Sequence, residues 1–178
     1  SRNGYTYVVK APNGTEYQSL QAATNDVHVF DNDPSSNQVF NVIYTAQLQT
    51  VNVMSDSSDP KGAQMIETAH GPSNSNVSLN ANDSNLKRSG YIYQVTGPDR
   101  KVYDSLADAL KNNPTYDDNA IPTDTGIDPI PQNFTVTYKP VKQTANLIVD
   151  GKTLDTVTGD SDSKLTFNKT DNDLYRSG

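Results

Sequence analysis

The chain has 178 residues, no cysteine, a net charge of −7 and a pI near 4.6. Without thiols neither a disulfide nor a thiolate metal site can staple it, and an acidic surface is a poor partner for phosphate backbones or anionic lipid. No stretch approaches the ~18 apolar residues of a membrane span. The first residues do not form a signal peptide, so any export signal or wall anchor is expected outside this segment. Glu16 and Glu67 are the only glutamates. Asp, Asn, Ser, Thr and Gly dominate instead, a vocabulary of turns and strands rather than long helices.

The chain repeats itself. Arg2-Asn3-Gly4-Tyr5-Thr6-Tyr7 returns as Arg88-Ser89-Gly90-Tyr91-Ile92-Tyr93, and Arg176-Ser177-Gly178 begins the phrase a third time. Tyr-x-Tyr-x-Val has the period of two that suits a half-buried strand, which predicts strands at 5–9 and 91–95. Pro12-Asn13-Gly14 and Pro98-Asp99-Arg100 read as tight turns into second strands near Tyr17 and Tyr103, Asn-Gly being the stronger hairpin signal. Ser19 and Ser105 are capping residues ahead of Leu20-Gln21-Ala22-Ala23 and Leu106-Ala107-Asp108-Ala109-Leu110, which predict one short helix per copy.

Phe30-Asp31 then matches Tyr116-Asp117, and the second copy carries a longer Pro- and Asp-rich loop over 119–131, as a surface insertion would. Gln132-Asn133-Phe134-Thr135-Val136-Thr137-Tyr138 alternates with Phe134, Val136 and Tyr138 facing inward, and Phe40, Val42 and Tyr44 hold the same positions in the first copy. Gln49-Thr50-Val51-Asn52-Val53 aligns with Gln143-Thr144-Ala145-Asn146-Leu147 as a further strand. Beyond it Met65 matches Leu154, Gly71 matches Gly159, Val77 and Leu79 match Leu165 and Phe167, and Asp83 and Leu86 match Asp171 and Leu174. The final residues, 171–178, read as a single helical turn closed by glycine.

A strand ending in Asp, then Gly-Lys-Thr-Leu, Gly-Asp-Ser-Asp, Leu-x-Phe and Asp-Leu-Tyr-Arg-Ser-Gly, with Gln-Asn-Phe-Thr-Val-Thr-Tyr closing the unit, resembles the mucus-binding (Mub, MucBP-type) repeats of lactobacillus surface adhesins. The resemblance covers essentially the whole chain through short motifs. It implies an α+β, β-rich architecture of tandem β-grasp-like modules with short helices and mixed sheets in an elongated arrangement. It also implies a wall-anchored extracellular protein that meets host mucus, and immunoglobulin in some relatives. Two divisions of the chain follow. The repeat as written gives 1–88 and 89–178, whereas the family's module boundaries give a complete module at 46–139 flanked by half-modules at 1–45 and 140–178, with Pro140 interrupting the strands at the boundary. The second division raises complementation of the terminal halves within or between chains.

Nothing in the sequence points to catalysis. His28 and His70 have no histidine at their counterparts and no ligand spacing. There is no phosphate-cradling glycine loop and no nucleophile elbow, and the paired aspartates sit in polar, turn-rich segments where no carboxyl would be raised toward general-acid duty. No cofactor is expected. Calcium is the alternative, since it favours oxygen-rich loops; Asp31 and Asp117 are the candidate ligands because they recur at one place in both copies, although no complete calcium-loop frame is present.

Tyrosine offers an aromatic face with a hydroxyl, suited to sugars. The recurring Tyr5, Tyr7, Tyr17 and Tyr44 with Tyr91, Tyr93, Tyr103 and Tyr138 read as packing residues. Tyr116 and Tyr175 remain as candidates for exposed ligand contact. The expected partner is mucin glycoprotein, bound locally and weakly and strengthened by repetition. The competing readings are a ligand-free stalk repeat and an immunoglobulin-binding module that uses a strand edge.

Overall fold

A computed structural model describes residues 2–122 and 124–174. It is α+β and strand-rich, with mixed sheets. The first copy opens with β1 (Tyr5–Lys10), β2 (Glu16–Tyr17), helix α1 (Leu20–Asp26) and β3 (Asn41–Ala46). These strands form a three-stranded antiparallel sheet in the order β2-β1-β3, with Tyr7 opposite Tyr44 and Val9 opposite Val42. Then come β4 (Leu48–Ser55), β5 (Met65–Pro72), α2 (Asp83–Leu86), β6 (Tyr91–Thr96), β7 (Val102–Tyr103), α3 (Leu106–Asn112) and β8 (Gln132–Pro140). Their strands make one five-stranded sheet in the order β5-β4-β8-β6-β7. A hairpin of β9 (Lys142–Val149) and β10 (Lys152–Asp160) and the single turn α4 (Asp171–Leu174) complete the described chain.

The predicted local signals operate as read. Ser19 Oγ accepts from Ala22 N and Ser105 Oγ from Asp108 N, each 3.0 Å, capping α1 and α3. The two hairpin turns close alike, Ala11 N donating to Thr15 O and Gly97 N to Lys101 O, both 2.9 Å. Their matched residues Gly14 and Arg100 both hold positive φ (86° and 63°), and only the glycine does so without a Cβ clash.

By compactness the chain divides into two units, Ser1–Asn52 with Glu67–Leu79 and Asn113–Asn133, and Val53–Ile66 with Asn80–Asn112 and Phe134–Gly178. Strands β4, β5 and β8 contribute residues to both. The first unit buries Val9, Ala11, Ala23, Val51, Tyr116 and Ile121. Within it a short clip forms where Val77 N donates to Pro114 O, Tyr116 N to Ser75 O and Asn74 N to Tyr116 O. The clip lays the Tyr116 ring on Gly71, where an added Cβ would fall 2.1 Å from the ring. Glycine at 71 is therefore required for close approach, not for backbone freedom.

The second unit buries Val53, Leu86, Val95, Leu106, Ala109, Phe134, Val136 and Tyr138. Asp56 N donates to Val136 O and Ser58 Oγ accepts from Tyr138 N at 2.7 Å, and in the first unit Asn52 Nδ2 donates to Asn133 Oδ1. Residue numbers on both strands rise together through these bonds, so β4 and β8 run parallel. Asp83, the first residue of α2, ties three elements together: it accepts from Tyr93 Oη at 2.8 Å and from the α3 backbone at Leu106 N at 2.7 Å. Burial, reinforced by this bond, pushes the Tyr93 hydroxyl up to about 12. Asp59 and Arg88 form a buried ion pair at 2.9 Å, and the guanidinium lies 5.2 Å from the centre of the Tyr138 ring. Burial alone would raise Asp59, but the Arg88, Lys61 and Ser55 hydrogen bonds outweigh it and hold the carboxyl below its ordinary range.

Candidate functional site

The repeated Arg-x-Gly-Tyr phrase builds a joint. In the first unit Gln47 N donates to Gly4 O (2.8 Å), and Ser73 N donates back to Gln47 O (2.9 Å). In the second unit Val141 N donates to Gly90 O (2.9 Å) and Ser161 N to Val141 O (3.0 Å). The serine hydroxyl repeats the bond in both, at 3.2 and 3.1 Å, and a glutamine amide, Gln49 or Gln143, donates to that hydroxyl. Gly4 and Gly90 hold φ of 70° and 78°, and a Cβ on either would sit within 2.7 Å of the serine Oγ. The glycine of the motif is thus fixed twice over, by handedness and by space.

Beside each joint lies an open groove built from matching positions. In the first unit it encloses about 360 Å³ and is lined by Arg2, Asn3, Tyr5, Thr6, Tyr7 and Gln18, among others. In the second it encloses about 530 Å³, where Arg88, Ser89, Tyr91, Ile92, Tyr93 and Asp104 take the same six places. The tyrosines are half-buried. Tyr5 and Tyr7 pack on Tyr44 with ring centres 6.5 and 6.0 Å apart, and Tyr93 on Tyr138 at 6.2 Å. Arg2 stacks 4.5 Å from the centre of the Tyr5 ring. The grooves therefore offer ring edges, a guanidinium (joined by Lys87 in the second) and neutral or acidic hydrogen-bonding groups on an open surface. Such a set can hold a hydroxyl-rich ligand by short-range contacts.

No family model, curated protein or solved structure matches this chain.

The four residues singled out from sequence are not brought together. Tyr116, expected as an exposed ligand contact, is buried against Gly71, and burial raises its hydroxyl pKa. That expectation is corrected: Tyr116, set apart from the recurring tyrosines, packs as they do. Tyr175 lies outside the described residues. Asp31 is exposed, and its Oδ1 accepts from Asp33 N in an Asx turn. Asp117 is half-buried: its Oδ2 accepts from Asn119 Nδ2 at 2.8 Å, and its Oδ1 is buried with no hydrogen-bond partner. Burial, with the charges of Asp128 and Asp118 added, raises the Asp117 carboxyl above its usual range. Among the described residues no group of three or more His, Asp or Glu side chains converges as a metal-holding cluster.

Sequence reading passed over the groove and the Asp59–Arg88 pair. The groove's signal was present in the recurrence of Arg2, Tyr5 and Tyr7 as Arg88, Tyr91 and Tyr93, whose tyrosines were read as packing residues. Asp59 has no counterpart in the other copy, so the repeat gave no pointer to it.

Proposed function

We propose that this chain is a non-catalytic repeat segment of an extracellular, wall-anchored adhesin that holds mucin glycoproteins through weak contacts multiplied along the chain. The single observation that carries this reading is the recurrence of one open groove, with six matched positions and a Tyr-x-Tyr wall, beside both joints. Neutral sugar hydroxyls suit its mixture of guanidinium, amide, carboxylate and aromatic groups, and the acidic chain gains nothing from long-range attraction to sialylated or sulfated mucin. Affinity per groove is low and repetition supplies avidity.

The test is binding to immobilised mucin before and after glycan removal, with immunoglobulin as a control, for the wild type and for Thr6→Arg with Ile92→Arg. Both positions are exposed groove residues, so the substitutions fill the grooves without touching a core. Binding lost on deglycosylation and in the double variant supports the reading. Binding that survives deglycosylation points to protein recognition, and binding indifferent to both arginines removes the grooves from the account. A second reading, a spacer repeat without its own ligand, is favoured by the joint, whose hydrogen bonds recur in both copies as a regular linkage would require. It predicts no binding at up to about millimolar concentrations.

A further inference from the structure

The two grooves are matched in place and unlike in charge. Gln18 lines the first where Asp104 lines the second, and Lys87 joins the lining of the second. Arg88 is the more conspicuous cation there, yet its charge is already met. Its Nε and Nη2 donate to the Asp59 carboxylate at 3.0 and 2.9 Å, and its Nη1 donates to the Asn85 and Lys87 carbonyls at 3.1 and 3.2 Å. Arg88 therefore anchors the backbone of its neighbour. Lys87 itself is the exposed C-cap residue of α2, and among the described residues its ammonium forms no ion pair.

The tyrosine hydroxyls are committed as well. Tyr91 Oη donates to Asp162 at 2.9 Å and Tyr93 Oη donates to Asp83 at 2.8 Å, so the groove presents their rings, beside an exposed Ile92. Asp104 is exposed and accepts a long bond from Gln94 Nε2 at 3.3 Å. What remains for a ligand is one ammonium, one carboxylate and an apolar surface, in a groove of about 530 Å³. The first groove stays open with Gln47, Ala120 and Ile121 added to its lining.

We propose that the second groove takes a sugar unit bearing one anionic group, with Lys87 pairing to the anion and Asp104 accepting from a neighbouring hydroxyl or amide. The proposal rests on the glycan reading above and names the sugar class at that site. A carboxylate and a sulfate ester supply the same chemistry. A neutral sugar leaves the ammonium unmatched, whereas a polyanion meets both the Asp104 carboxylate and a chain of net charge −7. The C–H face of the sugar covers Ile92 and a tyrosine ring. In the first groove Gln18 donates as well as accepts and carries no charge, so that position does not select by charge.

The test is amide NMR on the isotope-labelled chain, titrated into the millimolar range with glucose, glucuronic acid and the monosulfate ester of glucose, and read at residues 87–93. The wild type is expected to bind the acidic sugars roughly three- to fivefold more tightly than glucose, the margin one exposed ion pair supplies. Added salt should shrink that margin. Lys87→Gln, at an exposed position, should abolish it and leave the glucose response unchanged, and Asp104→Gln should admit dextran sulfate, which the wild type turns away. A preference for only one of the two acidic sugars supports the class and identifies its source. Equal binding of all three sugars, a margin that survives Lys87→Gln, or dextran sulfate bound equally by wild type and Asp104→Gln would overturn the acidic-sugar assignment while leaving a glycan groove in place. No response to any sugar overturns it too, and the fate of the broader reading is then decided separately by mucin binding of the Thr6→Arg, Ile92→Arg chain.

Discussion

The five-stranded sheet and the three-stranded sheet are built from the same sentence, and they differ in what that sentence is allowed to bury. Val136 and Tyr138 in the first, and Leu106 on the helix that follows its hairpin, are buried, while Val42 and Tyr44 in the second, and Leu20 on its helix, stand at the surface. Strand pairing is nevertheless the same in both: Tyr7 faces Tyr44 as Tyr93 faces Tyr138, and Val9 faces Val42 as Val95 faces Val136. Local sequence is therefore enough to set hairpin, helix and register, and the core depends on a second set of strands.

The sharpest way to break the comparison is at the arginine of the repeated phrase. Arg88 neutralises a buried aspartate, so Arg88→Ala strands the Asp59 charge and should cost about 3–5 kcal/mol in chemical denaturation. Arg2→Ala removes only a surface stack on Tyr5 and should cost no more than about 1 kcal/mol. Equal losses would mean that the two arginines share one role.

Truncating the matched leucines comes next. Leu106→Ala empties a packed site and should cost about 2–5 kcal/mol, whereas Leu20→Ala, at an exposed position, should lie within about 0.5 kcal/mol of wild type. A large Leu20 effect would show that the two leucines share one packing role.

A smaller contrast lies in the turns. Arg100 holds a left-handed conformation that Gly14 adopts freely, so Arg100→Gly should stabilise, and Gly14→Arg destabilise, each by about 1 kcal/mol.

The least expected effect is electrostatic, and its sign differs between two aspartates. The Asp117 carboxyl is raised in the folded chain, so its charge opposes folding above the ordinary value of 3.8. Asp117→Asn should raise the denaturation midpoint slightly at pH 7, with the gain vanishing as the pH falls below 3.8. Asp59 is lowered instead, so its contribution is complete above 3.8 and is lost as acid passes through its folded value. Replacing Asp59 by Asn should therefore flatten the acid limb of the wild-type stability curve, and replacing Asp117 should not.

Much of this was legible in the residues. Period-two tyrosines, capping serines, the turn residues and the alternation of Phe134, Val136 and Tyr138 placed strands and helices, because strand period, caps and turn geometry act over a few residues. The site was less legible. Tyr116 looked like a surface aromatic because nothing in its neighbourhood announces Gly71, forty-five residues earlier, as the floor beneath its ring. Asp59 and Arg88 look like ordinary surface charges until a fold removes both from water. Sequence by itself determined the duplication and the element types, both consequences of backbone stereochemistry and local hydrogen bonding. Tertiary structure alone decided which copy of each matched pair is buried, since burial depends on which strands arrive from elsewhere in the chain.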